Sequence, residues 1–78
     1  MARVRFFAQA RDATGCRETD IEGATVERVL SAAVTKFGPG LAAVLATSTI
    51  WVNGERADPA QEVLPADELA VLPPVSGG

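Results

Sequence analysis

The sequence predicts an α+β fold: a mixed β-sheet wrapping one main helix, followed by an extended carboxyl-terminal tail. Three observations carry this. Apolar residues alternate with period two near both ends and again around 49–52. One stretch, 26–37, has apolar residues at three- and four-residue spacing. After the last alternating segment the chain closes with two prolines and Gly77-Gly78. At 78 residues there is room for one small domain, placed at 1–72, with a tail at 73–78. A chain this short buries only ~60–65% of the surface its unfolded form exposes, too little for a second core.

The elements follow in order. Residues 3–9 read as a strand, with Val4, Phe6 and Ala8 inward and Arg3, Arg5, Phe7 and Gln9 outward. Residues 10–16 read as a loop, turned by Gly15. A second strand runs from about Arg17 to Glu22, with Thr19 and Ile21 inward, so the two strands suggest an antiparallel hairpin. Thr25 is a helix N-cap candidate, because its hydroxyl can accept from an unpaired first-turn N–H. Val26, Val29, Leu30, Ala33 and Phe37 then form a helical face, and Gly38-Pro39-Gly40 stops it. Leu41 to Ala46 reads as a short helical turn or packed loop. Thr49 to Val52 is a strand. Asn53-Gly54 is a two-residue hairpin turn of type I′, which needs positive φ at both positions. Glu55 to Ala57 is the return strand. Asp58 to Asp67 is a connection with room for a single helical turn, and Glu68 to Leu72 is the last strand. The first and last strands fit as parallel neighbours at the sheet centre. This order is that of the β-grasp, or ubiquitin-like, fold.

Composition narrows the function. Hydrophobic residues make up 47% and charged residues 22%, values of a folded domain rather than a disordered one. Net charge is −3, and the basic residues are scattered, so no nucleic acid is expected as a partner. No apolar run approaches the ~20 residues a membrane helix needs, so no membrane is expected either. A single cysteine, Cys16, and no apparent signal peptide fit a cytoplasmic protein. The chain has no His and no Tyr, which excludes the common zinc sites and His-based nucleophile systems. No metal and no cofactor of its own are expected. Cys16 reads as an ordinary small residue, Arg11 and Asp12 as a solvated loop pair, and Glu62, Asp67 and Glu68 as a solvated acidic patch.

The chemistry then falls to the tail. Glycine has no Cβ, so Gly77 and Gly78 can thread a narrow channel in another protein. Pro73 and Pro74 stiffen the base and lower the entropy lost on insertion. Six extended residues reach ~20 Å. A carboxylate delivered this way could attack the α-phosphate of ATP and form an acyl-adenylate, with no catalytic side chain on this chain. Strand alternation places Phe7, Trp51 and Leu72 on the sheet face away from the helix, an apolar stripe near the root of the tail.

Two segments resemble a known family. Val4-Arg-Phe-Phe-Ala-Gln-Ala-Arg-Asp-Ala-Thr-Gly15 and Val71-Leu-Pro-Pro-Val-Ser-Gly-Gly78 are similar to the small subunits of molybdopterin synthase, which are ubiquitin-like sulfur carriers. The resemblance spans essentially the whole chain, although Arg56 stands where the family often has an apolar residue. It implies a cycle. An E1-like enzyme uses ATP to adenylate Gly78, and a sulfur donor converts the adenylate to a thiocarboxylate. The large synthase subunit then accepts the tail and the sulfur enters the dithiolene of molybdopterin, usually within a heterotetramer. Phe7, Trp51, Leu72, Pro73, Pro74, Val75 and Ser76 would contact the partner, and Gly77 would allow threading. Alternatives are a carrier for thiazole, cysteine or tRNA thiolation, a ubiquitin-like protein modifier, and a non-reactive binding module.

Overall fold

The structure is a computed structural model and describes residues 1–74. The expected Val75, Ser76, Gly77 and Gly78 contributions lie outside the described residues. Five strands, β1 (Ala2–Phe6), β2 (Glu18–Ile21), β3 (Thr49–Val52), β4 (Glu55–Arg56) and β5 (Glu68–Leu72), form one sheet in the order β2-β1-β5-β3-β4. β1 and β5 are parallel and central, and the other pairings are antiparallel. Three helices, α1 (Gln9–Thr14), α2 (Val26–Phe37) and α3 (Pro39–Leu45), complete an α+β, β-grasp architecture.

The core is aliphatic. Val4, Phe6, Leu69 and Val71 of the central strands are fully buried with Val26, Val29 and Ala33 of α2 and Leu41 of α3. Phe6 meets Phe37 edge-on, with ring centroids 5.6 Å apart, a favoured aromatic geometry. Leu41 shows why the 41–46 segment is helical: Pro39 starts α3, and one fully buried side chain holds it to the core.

The amino end of α2 is fully satisfied. Arg28 N–H donates to Thr25 Oγ1 at 3.2 Å, as the N-cap reading requires. Val26 and Glu27 N–H donate to the carbonyls of Gln61 and Pro59. The 58–67 segment therefore runs as turns against the helix end, with an isolated bridge from Thr25 to Glu62, instead of forming a helical turn of its own.

Three expectations are corrected at the amino end. The first strand stops at Phe6, not Gln9. Ala8 is exposed rather than inward, because its backbone turns to φ 49°, ψ −124° and breaks the alternation. Residues 9–14 form α1 instead of a loop, so the β1–β2 connection is helical and Arg11 and Asp12 sit on that helix. Six residues are too few to form a helix by propensity. Ala10 is fully buried, and α1 packs against α3, so tertiary contact forms the helix.

Candidate functional site

The face of the sheet opposite the helices is organised in rows. The strand registers place Glu18, Arg5, Ala70, Trp51 and Arg56 side by side across all five strands. The row toward the start of β1 is charged: Asp20, Arg3 and Glu68. The row toward the tail is Leu72 beside Thr49, and Phe7, one step past β1, joins it through its N–H, which donates to the Val71 carbonyl at 3.3 Å. The surface thus grades from ionic to apolar along the direction in which β5 runs to Pro73.

The ionic end holds itself together. Arg3 Nε donates to Asp20 Oδ1 at 3.0 Å and Arg3 Nη1 to Glu18 Oε1 at 2.7 Å. Arg5 Nε lies 3.4 Å from Glu18 Oε2 and 3.3 Å from Glu68 Oε1. The hydrogen bond to Asp20, then its charge and that of Glu18, raise the Arg3 pKa above the ordinary guanidinium value. These groups are solvated, so the ladder orients side chains more than it stabilises the fold.

The apolar end forms two joined depressions. Phe7, Trp51, Gly54, Ala70 and Leu72, with Arg5 and Glu68 at the rim, enclose about 310 Å³. The second, about 400 Å³, is lined by Phe7, Ala8, Gln9, Asp12, Leu72, Pro73 and Pro74. Phe7 and Leu72 belong to both, so an apolar path runs from the open sheet face to the root of the tail. Phe7, Trp51, Leu72 and Pro73 are half-buried and Pro74 is exposed. The structure therefore brings together every described residue of the expected stripe. Phe7 reaches it from the β1–α1 link instead of from the strand. Ala70 was not singled out by sequence. Its small side chain between Trp51 and Arg5 leaves the hollow, and only the register reveals it.

The hairpin bounding this face is clamped. Asn53 and Gly54 have φ of 49° and 81°, the type I′ pattern. Asn53 Nδ2 donates to Asp67 Oδ1 at 2.9 Å, and Asn53 Oδ1 accepts from Glu68 N–H at 3.0 Å. Asp67 Oδ2 also accepts from Leu64 N–H at 2.8 Å. That backbone bond, then the Asn53 amide, lowers the Asp67 pKa below the ordinary carboxylate value. Asp67 is thus a structural acceptor as well as a solvated carboxylate. Among the described residues no three His, Cys, Asp or Glu side chains gather as metal ligands. None of the helices described is long and apolar enough to cross a membrane.

The fold agrees with that of known proteins. A family model described as the ThiS family matches residues 4–78. The chain belongs to the ThiS family. This ThiS-family chain is 35% identical over 79 residues to the molybdopterin synthase sulfur carrier subunit of Arabidopsis thaliana, with 97% of this chain and 81% of that one covered. The crystal structure of SAMP1 (small archaeal modifier protein 1) from Haloferax volcanii superposes with a TM-score of 0.83 at 33% identity, covering 99% of this chain and 98% of that one. One chain of the complex of subunits 1 and 2 of the molybdopterin-converting factor from Helicobacter pylori 26695 superposes with a TM-score of 0.72 at 26% identity, covering 99% and 97%. The similarities of this ThiS-family chain thus reach both a relative named a sulfur carrier subunit and a structure named a small archaeal modifier protein.

Proposed function

We propose that this chain is the sulfur-carrying small subunit of molybdopterin synthase, a folded domain at 1–72 that presents a reactive tail at 73–78. The Gly78 carboxylate attacks the α-phosphate of ATP in an E1-like partner and pyrophosphate leaves. A sulfur nucleophile from a donor displaces AMP, giving a thiocarboxylate. The tail then enters the large synthase subunit, and the sulfur passes to the pyranopterin precursor. Gly77 permits threading, while Val75 and Ser76 contact the partner. This chain contributes sulfur and a docking face but no catalytic side chain, and ATP belongs to the activating partner. The reading places it in the cytoplasm.

One observation supports this most: the apolar path through Phe7 and Leu72 leads along the central strand into Pro73 and Pro74. A partner covering the path is held beside the point where the tail departs. The relative named as a sulfur carrier, and the related subunit found in complex with a second subunit, support the same reading.

The test is the intact mass of the chain after incubation with ATP, an E1-like enzyme and a sulfur donor. Replacement of one oxygen by sulfur at Gly78 is expected. An unchanged mass, with the enzyme active on another carrier, would sink the proposal. The likeness to SAMP1 favours one second reading, a protein modifier joined through Gly78 to lysines. Conjugates that survive a denaturing gel would mark it.

A further inference from the structure

Beside the apolar path lies a third depression, about 270 Å³, lined by Arg5, Phe6, Phe7, Arg11, Arg17 and Glu18. We propose that Arg5, Arg11 and Arg17 form a basic shoulder that docks on a carboxylate-rich rim of the partner cleft receiving the tail. The inference rests on the function proposed above and adds the chemistry of the partner surface.

Three arginines from three different segments meet there: Arg5 from β1, Arg11 from α1 and Arg17 from the link into β2. The chain carries only 7 basic residues against 10 acidic ones, so this is a local reversal of its overall sign. Arg5 is engaged by Glu18 and Glu68. Arg11 and Arg17 are exposed and make no ion pair among the described residues. Their guanidinium groups present paired donors that match carboxylates bidentately. Phe7 and Arg5 also border the apolar depression, so one protein surface can cover both.

The occupant is a protein carboxylate surface and not a small free anion. Glu18 lines the depression and repels a small phosphate that has no other anchor. A nucleic acid needs a longer basic track than three arginines in a chain of net charge −3. Exposed ion pairs contribute more to association rate than to final affinity, so the signature is kinetic.

The experiment measures association of the full chain with the large synthase subunit and with the E1-like enzyme. It uses about 0.01 M and about 1 M salt, where the Debye length is ~30 Å and ~3 Å. The double variant Arg11→Gln/Arg17→Gln should associate about 3- to 10-fold more slowly with at least one partner at low salt and equally fast at high salt. Arg11→Lys/Arg17→Lys keeps the charge and should recover most of the rate, which also checks the fold. Arg28→Gln/Lys36→Gln makes the same change in net charge away from this depression and should leave the rate within about twofold. Equal slowing by both Gln pairs would overturn the proposal, because net charge alone would then explain the rate. No slowing with either partner, while Phe7→Ala still weakens binding, would overturn the shoulder and leave the proposed function intact. Slowing by the Arg pair with no effect of Phe7→Ala would uphold the shoulder and remove the apolar face. Failure of the unaltered chain to bind either partner would remove both.

Discussion

Phe7 lines three depressions and Leu72 two, and both are half-buried with little of the core behind them. Truncating a half-covered side chain forfeits less than the ~2–5 kcal/mol typical of a core deletion. Phe7→Ala and Leu72→Ala should therefore lower stability by about 1 kcal/mol or less. They should weaken binding of the large subunit or the E1-like enzyme by tenfold or more, as central apolar anchors do. Titration calorimetry and chemical denaturation on the same variants check the split, and a large stability loss with normal binding would place these residues in the core. Ala8 makes a different prediction. Its φ of 49° with ψ −124° is a conformation that suits glycine, and such strain costs about 1–3 kcal/mol. Glycine frees the unfolded chain by only about 0.4–1 kcal/mol. Strain wins, so Ala8→Gly should raise stability by about 1 kcal/mol in urea unfolding.

The elements differ in how they are held. The β3–β4 hairpin is tied to the start of β5 by Asn53 and Asp67. The Asp67 pKa is lowered in the folded protein, first by the Leu64 N–H and then by the Asn53 amide. Its stabilising contribution is complete above the carboxylate's unfolded value and is lost as pH falls through the lowered folded value. Carbon-detected titration should find Asp67 ionised to lower pH than an aspartate in an unfolded chain. Hydrogen exchange at Asn53 and Glu68 should rise as it protonates, whereas Asp67→Asn should abolish that pH dependence. The elements also differ in how far sequence revealed them. α2 was readable from Thr25 to Gly38 because its apolar period and caps agree. The type I′ turn was readable because Asn-Gly is among the few pairs that tolerate it. α1 was not, since Ala8 offers no capping side chain and the helix exists through the burial of Ala10. The Asn53–Asp67 clamp joins residues 14 apart, and no local pattern encodes such a bond.

At the scale of the whole molecule, the chemistry proposed for Gly78 is separate from the fold that carries it. A single residue added after Gly78 should abolish thiocarboxylate formation by intact mass while leaving the thermal midpoint unchanged. Full loading of the extended chain would sink the proposal. The stripe of Phe7, Trp51 and Leu72 was legible in sequence because alternation fixes the face. Its hollow at Ala70 and its neighbouring arginines were not, since the first depends on which strands lie next to each other and the second on how α1 and the link into β2 sit beside β1. The central placement of β5 has a mechanical consequence. The strand is bonded to β1 on one side and β3 on the other, and those bonds lie broadly across its length. A pull on the tail along β5 loads both rows in shear, so they must fail together instead of unzipping one at a time. A partner can grip the tail and let it go many times while the domain behind it bears the load as a fixed anchor.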